Sequence, residues 1–335
     1  MISDDFRLPP RLQKRNGEIR KAGFEIEFTG LKLDVIARIV TECCGGEKEE
    51  ITPYHYKIRH TSYGTFGIEL DFRFLKEELL RELLEELGLY DESDLQLIRQ
   101  IESFIATVSE TVVPYEITTP PIPMTELEIL DRLEAALRTR GARGTDASLF
   151  YAFGLHINPE VPDFEVATVV DYLRAFFVLY EWLVYTSKTD FTRRLTTYIT
   201  PFDDAYVLMV LDPSYRPDWG MFIDDYLRFN PTRNRALDLL PLLSWVDHER
   251  VRKVIDDPRV RARPTFHYRL PDSRIDSEPH NLAHAWNRWV EVEKLAENQE
   301  TLLRMSRQYA EYLADPFSIF EENWALKMEK WLEEK

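Results

Sequence analysis

The chain has 335 residues, of which 44% are hydrophobic and 13% aromatic, a composition typical of a globular protein with a large packed core. One elaborated domain or two closely packed domains would both account for this length. The formal net charge of −17 argues against a nucleic-acid partner, because binding a phosphate backbone requires a field of lysine and arginine.

The start of the chain and its apolar stretches bear on localisation. Residues 1–17 form a polar leader that lacks the apolar run of a secretion signal and contains acids that transit peptides avoid. Residues 176–185 are the most apolar stretch, but a membrane-spanning helix needs roughly 20 such residues. The two cysteines, Cys43 and Cys44, are adjacent, a spacing unsuited to a disulfide between them. These features predict a cytoplasmic protein without a membrane partner.

The first half of the chain mixes two hydrophobic periodicities, alternation for strands and spacings of three and four for helices. In chain order they predict a strand at 18–28, a helix at 31–42, a hairpin at 51–71, helices at 75–87 and 94–108, a strand at 111–118 and a helix at 126–139.

The second half is mainly helical, with two short strands. The pattern predicts a strand at 149–158, a helix at 168–187, shorter helices at 204–211, 218–229 and 235–244, a strand at 263–270, and helices throughout 276–335. Strands and helices do not alternate regularly, so the expected class is α+β with a mainly antiparallel sheet.

Two carboxylates stand out on the first predicted strand. In GFEIEF (residues 23–28), alternation places Glu25 and Glu27 on one face of the sheet. Hard carboxylate oxygens at this spacing can hold magnesium ions. The solvated face of an amphipathic strand is the alternative, since charged side chains usually stay exposed.

Later strands carry further polar residues. Glu116 lies inside YEITTPPI (115–122), where an exposed charge on an edge strand is the alternative. His156 and Asn158 emerge together from GLHIN (154–158), which suits contact with a metal or a phosphate. A hydrogen-bonded core histidine explains that pattern equally well.

Basic residues follow in two segments. Arg233 and Arg235 precede an apolar helix in RNRALDLLPL (233–242), and paired guanidinium groups near a helix start bind anions well. His267 and Arg269 share one face of TFHYRLPDSRI (265–275). Surface ion pairs and a structural cation pair are the respective alternatives.

These five motifs in this order resemble the amidoligase family of carboxylate–amine ligases, whose superfamily includes glutamine synthetase and gamma-glutamylcysteine ligase. The resemblance spans residues 20–274 and implies a catalytic domain at 18–275 with helical insertions. It implies a curved antiparallel sheet of the glutamine synthetase type, with the helical region 276–335 packed on it. The implied reaction uses ATP and Mg²⁺ to phosphorylate a carboxylate, which an amine then attacks.

The resemblance also implies roles for individual residues. Glu25, Glu27, Glu116 and His267 occupy metal-ligand positions, His156, Asn158 and Arg233 contact the nucleotide, and Arg235 and Arg269 neutralise the phosphoryl group and the substrate carboxylate. Glu69 and Asp71, in GIELD, are the candidates for binding the attacking ammonium or a metal, and a structural salt bridge is their alternative.

Two departures from relatives leave other functions open. Relatives usually carry glutamate where this chain has His267, and the His-x-His of glutamine synthetase reads His156-x-Asn158 here. Because Mg²⁺ prefers oxygen, a softer ion such as Mn²⁺ is the alternative at one site. Two alternative functions are a phosphotransferase similar to guanidino kinases and an inactive nucleotide-binding scaffold.

The substrate is expected to be a small-molecule or peptide carboxylate with an amine. A glutamine amidotransferase or a peptidase is the partner protein that the resemblance implies.

Overall fold

The computed structural model describes residues 4–70, 114–145, 153–187, 199–276, 279–315 and 323–334. Within these ranges one sheet of nine strands runs through the molecule, and each strand pairs antiparallel with its neighbours. The strands are β1 (Lys21–Phe28), β2 (Glu47–Thr52), β3 (His55–Thr61), β4 (Gly64–Leu70), β5 (Tyr115–Thr118), β6 (Ile122–Pro123), β7 (Leu155–Pro159), β8 (Leu237–Asp238) and β9 (His267–Tyr268). Their order is β2-β3-β4-β5-β1-β7-β9-β8, and β6 pairs with the start of β1.

Ten helices are present in the described ranges. They are α1 (Leu33–Cys44), α2 (Ile129–Thr139), α3 (Val166–Thr186), α4 (Asp204–Leu211), α5 (Trp219–Phe229), α6 (Leu240–Val246), α7 (His248–Arg252), α8 (Asn281–Ala296), α9 (Gln299–Ala314) and α10 (Trp324–Glu333). Helix α3 is apolar on almost every side and packs against α8, α9 and α10, which is the position expected for a helix without a polar face.

The sheet has one apolar and one polar face, because side chains alternate along each strand. Phe24, Ile26 and Phe28 of β1 are fully buried on the apolar face, where the helices pack. Glu25 and Glu27 point the other way. We call the side of the sheet that carries Glu25 and Glu27 the polar face, and the candidate site lies there.

A buried ion pair joins the start of the central strand to the C-terminal helices. Arg20, directly before β1, and Glu293 on α8 are both fully buried, and the guanidinium binds the carboxylate through two hydrogen bonds of 2.7 and 2.8 Å. Trp289 and Tyr172 also donate to Glu293. Burial of such a pair is tolerated only when its hydrogen bonds are satisfied, as they are here.

The predicted α+β class and antiparallel sheet are confirmed, whereas the glutamine synthetase type of fold stays a prediction. The helix predicted at 235–244 is wrong in its first part, where the short strand β8 precedes α6. The segment predicted as a hairpin belongs to three strands, β2 to β4. The helices predicted at 75–87 and 94–108 lie outside the described residues. None of the described helices has the length and apolar character needed to cross a membrane.

Candidate functional site

The pairing of β1 with β5 and β7 builds the centre of the site. Glu25 lies opposite His156 of β7 on one side and Thr118 of β5 on the other, while Glu27 lies opposite Glu116 of β5. Directly opposed residues on antiparallel strands point to the same face of the sheet. The polar face therefore brings three buried carboxylates and an imidazole together across three adjacent strands.

Glu25 is the hub of this group. One of its carboxylate oxygens lies 3.1 Å from Nδ1 of His156, and the other accepts a hydrogen bond of 3.0 Å from Asn158. His267 Nε2 lies 3.8 Å and Arg263 Nη1 3.6 Å from the same carboxylate. One potential ligand atom from each of Glu25, His156 and His267 lies within 4.8 Å of the others, close enough to share one metal ion.

The protonation states favour metal ligation. Burial alone would raise the pKa of Glu25. The hydrogen bond from His156, together with the nearby imidazole of His267, outweighs the effect of burial and holds the pKa of Glu25 well below its usual range. Burial lowers the pKa of His156 well below its usual value, although Glu25 opposes this effect. The pair is therefore a carboxylate beside a neutral imidazole. A neutral His156 that donates from Nδ1 keeps its lone pair on Nε2.

Asp238 of β8 supports His267 from behind. Its Oδ1 accepts the backbone N–H of Leu240 at 2.9 Å, and its Oδ2 lies 3.5 Å from Nδ1 of His267. Nε2 of His267 is buried and has no hydrogen-bond partner among the described residues. A carboxylate behind one ring nitrogen, with the other facing a ligand position, is the usual arrangement of a metal-binding histidine.

Neither Asp238 nor Arg263 was predicted from the sequence as a site residue. Asp238 lies in the segment predicted as a helix, and a single acid among leucines in a helix does not indicate a site residue. Arg263 begins the predicted strand at 263–270 but belongs to none of the recognised motifs. Its position 3.6 Å from Glu25 depends on tertiary packing.

A second group of acids extends across the face toward β4. Glu69 of β4 lies opposite Glu116, which lies opposite Glu27, so that three carboxylates occupy one cross-strand row. Glu27 accepts the backbone N–H of Gly154 at 2.6 Å, and Thr118 donates to Glu116 at 3.1 Å. Glu27 and Glu116 are buried, whereas Glu69 is exposed. Asp71 lies outside the described residues.

Arg269 and Arg233 lie at the β9 end of the face. The pairing of Ile157 with Tyr268 places Arg269 next in register to His156, and its positive charge adds to the effect of burial in lowering the pKa of His156. The Arg269 side chain donates to the backbone carbonyl of Arg233. Arg233 itself lines a neighbouring polar cavity of about 240 Å³, together with Asn234, Asp257 and Arg259.

Arg235 is placed differently from the prediction. Its guanidinium donates to the backbone carbonyls of Thr200, Pro201 and Phe229 and lies 5.4 Å from the ring centroid of Phe202. Phe202 belongs to the aromatic packing around α3, on the apolar side of the sheet. The structure therefore does not bring Arg235 to the acids, because backbone carbonyls from two separate segments occupy its Nη1 and Nη2 donors.

The donor sets on the polar face fit two kinds of divalent ion. Glu27 and Glu116 offer oxygen alone, which suits Mg²⁺. Glu25, His156 and His267 offer one oxygen and two nitrogens, a mixed set that suits softer ions such as Mn²⁺ or Zn²⁺. The buried Nε2 of His267, without a hydrogen-bond partner in the described structure, fits a ligand position there.

Comparison with known proteins bears on this site. No curated protein and no solved structure matches the chain. A family model described as "Putative amidoligase enzyme" matches residues 18–291, which include every strand of the sheet and every site residue named above. The predicted resemblance is confirmed, and the chain belongs to the amidoligase family.

Proposed function

We propose that the protein is an ATP-dependent ligase that joins a carboxylate to an amine through an acyl phosphate. The observation that carries this proposal is the convergence of Glu25, Glu27 and Glu116 with His156 and His267 on the polar face. Membership of the amidoligase family and the antiparallel sheet with acids on its central strand support it, and they also support a fold of the glutamine synthetase type.

The proposed reaction has two steps that balance without a further reagent. A substrate carboxylate oxygen attacks the γ-phosphorus of ATP, and ADP leaves. The amine nitrogen then attacks the acyl carbon, phosphate leaves, and the nitrogen loses a proton. Phosphoryl transfer of this kind depends mainly on positioning and on neutralising charge, because side chains form no covalent bonds with the substrate.

Each polar group has a part in that positioning. Glu27 and Glu116 would hold Mg²⁺ against the phosphates of ATP, and Glu25 with His267 would hold a second divalent ion, with His156 available as a third ligand or as a phosphate contact. Bound divalent ions neutralise phosphate charge. Asn158 keeps the Glu25 carboxylate oriented through its 3.0 Å hydrogen bond.

The arginines and the exposed acid complete the proposed site. Arg269, beside His156, would meet the phosphoryl group or the substrate carboxylate, for which a planar guanidinium is well suited. Arg233 would contact nucleotide phosphate from the adjoining cavity. Glu69, exposed at the end of the acid row, would attract the incoming ammonium group. Arg235 has no part in the proposed chemistry, because backbone carbonyls occupy its Nη1 and Nη2 donors.

Hydroxylamine offers a test that does not require the natural amine. The protein would be incubated with ATP, Mg²⁺ or Mn²⁺, hydroxylamine and a panel of amino acids and peptides whose carboxylates carry ¹⁸O. A ligase of the proposed kind forms a hydroxamate and ADP, and it transfers one ¹⁸O from the carboxylate to inorganic phosphate. Glu116→Gln should abolish the hydroxamate, whereas Glu50→Gln, on the exposed strand β2, should leave it unchanged.

Other products would contradict the mechanism. Release of AMP with pyrophosphate would indicate an acyl adenylate. A stable phosphorylated guanidine with ADP would indicate a phosphotransferase. Binding of ATP without any turnover across the panel, with both metals, would favour an inactive scaffold.

A further inference from the structure

A second cavity lies on the other side of the sheet from the catalytic candidates. It has a volume of about 180 Å³, opens to solvent on one side, and is lined by α3, the segment leading into α4, α4 itself and α9. Tyr268 follows His267 on β9, so its side chain faces away from the polar face. The ring of Phe176, which neighbours the lining residue Phe177 in sequence, packs against Tyr268 on that opposite side. We call this space the aromatic cavity, lined chiefly by Phe177, Tyr180, Glu181, Phe202, Asp204 and Tyr309.

Aromatic rings form much of its wall. Phe177, Tyr180, Phe202 and Tyr309 all line the space, and the rings of Phe177 and Phe202 stand at 70° with centroids 4.9 Å apart. The faces of aromatic rings carry partial negative charge and attract organic cations, most strongly where water is excluded. Several rings around one small space are the usual means of recognising substituted ammonium groups.

Two carboxylates add formal negative charge to the same space. Glu181 of α3 is part-buried, and this burial raises its pKa even though the Tyr309 hydroxyl donates to it at 3.3 Å. No lysine or arginine in the described residues pairs with Glu181. Asp204, in the first turn of α4, lines the cavity as well. The Arg235 guanidinium lies 5.4 Å from the ring centroid of Phe202 but forms no ion pair with Glu181. A part-buried carboxylate beside aromatic rings is an environment that a bound cation would stabilise.

We propose that the aromatic cavity binds a small organic ammonium ion at a site separate from the ligase centre. Its volume equals that of about six water molecules in the liquid, enough for a trimethylammonium head with a short tail. Glu181 and Asp204 exclude anions, and the rings favour a cation of low hydration over a metal ion. The net charge of −17 raises the local concentration of any cation around the protein.

Choline and its uncharged isostere, 3,3-dimethylbutan-1-ol, separate cation recognition from simple filling of an apolar space. Calorimetric titration of the full chain should show choline binding in the millimolar range or tighter, with the alcohol at least about tenfold weaker. Equal affinity for the two probes would overturn the proposal, because shape alone would then explain binding. Absence of choline binding well above millimolar concentration would overturn it too.

Two variants locate the site. Glu181→Gln keeps the shape and the bond from Tyr309 but removes the charge, and it should weaken choline binding about tenfold. The control is Glu311→Gln, an exposed residue of α9, which should bind choline as the wild type does. Phe202→Leu should also weaken binding, since it removes one ring from the wall. Unchanged binding in both Glu181→Gln and Phe202→Leu would place choline elsewhere and refute the assignment.

These measurements do not depend on the ligase reaction. Binding of choline is read without ATP, so a failure of the hydroxylamine assay leaves this test intact. Conversely, loss of choline binding says nothing about the polar face.

Discussion

Replacing Asp238 with asparagine should weaken metal binding without unfolding the protein. Asparagine keeps the size of the side chain and can still accept the Leu240 N–H through Oδ1. Its amide nitrogen would then face Nδ1 of His267. In the wild type, Oδ2 of Asp238 lies 3.5 Å from that Nδ1. Because that amide donates, Nδ1 must accept, and the histidine proton moves to Nε2. The nitrogen that faces Glu25 then has no lone pair for a metal.

The magnitude follows from the geometry around His267. Loss of an outer-shell partner typically lowers metal affinity about 10- to 100-fold. The distance of 3.5 Å is longer than an ideal hydrogen bond, which places the effect in the lower part of that range. We expect a loss of about 10- to 30-fold in the affinity for Mn²⁺, or about 1.4 to 2 kcal/mol of binding free energy.

Calorimetric titration with Mn²⁺ measures this loss directly, and circular dichroism reports whether the fold is intact. Asp225→Asn is a matched control, because Asp225 also accepts a side-chain hydrogen bond, from Tyr215 at 2.9 Å, but lies outside the site. If folded Asp238→Asn binds Mn²⁺ with an affinity within threefold of the wild type, the reasoning is refuted. A threefold change corresponds to roughly half of the 1.4 kcal/mol that a tenfold change represents. His267 would then need no orienting carboxylate.

Three further substitutions test separate parts of the structure. Arg269→Lys should keep the charge and the fold but lower ADP release about 100-fold or more in the hydroxylamine assay, and a rate near that of the wild type would make this arginine a structural cation. Gly23→Ala should leave the melting temperature unchanged or raised, since the added Cβ would meet no atom closer than 3.8 Å. The same Cβ should weaken ATP binding, because it narrows the space over the polar face of β1. Gly67→Ala, on the same face two strands away, is the control. Glu293→Gln leaves Arg20 buried without its charge partner and should cost about 3 to 5 kcal/mol of unfolding free energy in a denaturant titration, whereas a cost below about 1 kcal/mol would show that the pair contributes little.

The local pattern of β1 was sufficient to predict both its strand and its polar face. Alternation in GFEIEF fixes which side chains share a face, and that property needs no partner strand. The partners themselves are distant in sequence: Glu27 pairs with Glu116, and Glu25 with His156. No local pattern encodes such pairings. The ordered resemblance to a family grouped these residues into one site but did not give the strand partners.

The segment RNRALDLLPL shows where local reading fails. Its leucines recur at helical spacing, so Asp238 was assigned to a helix and not to a site. Tertiary pairing with β9 overrides that preference for the two residues of β8. The same segment directs Arg235 toward the backbone carbonyls of Pro201 and of Phe229 at the end of α5, whose approach depends on the whole fold.

The ion pair between Arg20 and Glu293 has a consequence for the order in which the chain folds. Its two residues are 273 positions apart, and ribosomal synthesis takes on the order of tens of seconds to cover that separation. Throughout this interval the first strand is present, but the carboxylate that neutralises its arginine has not yet been made. The centre of the sheet is therefore expected to close late, and a nascent chain stalled before α8 should remain sensitive to proteases and dependent on chaperones.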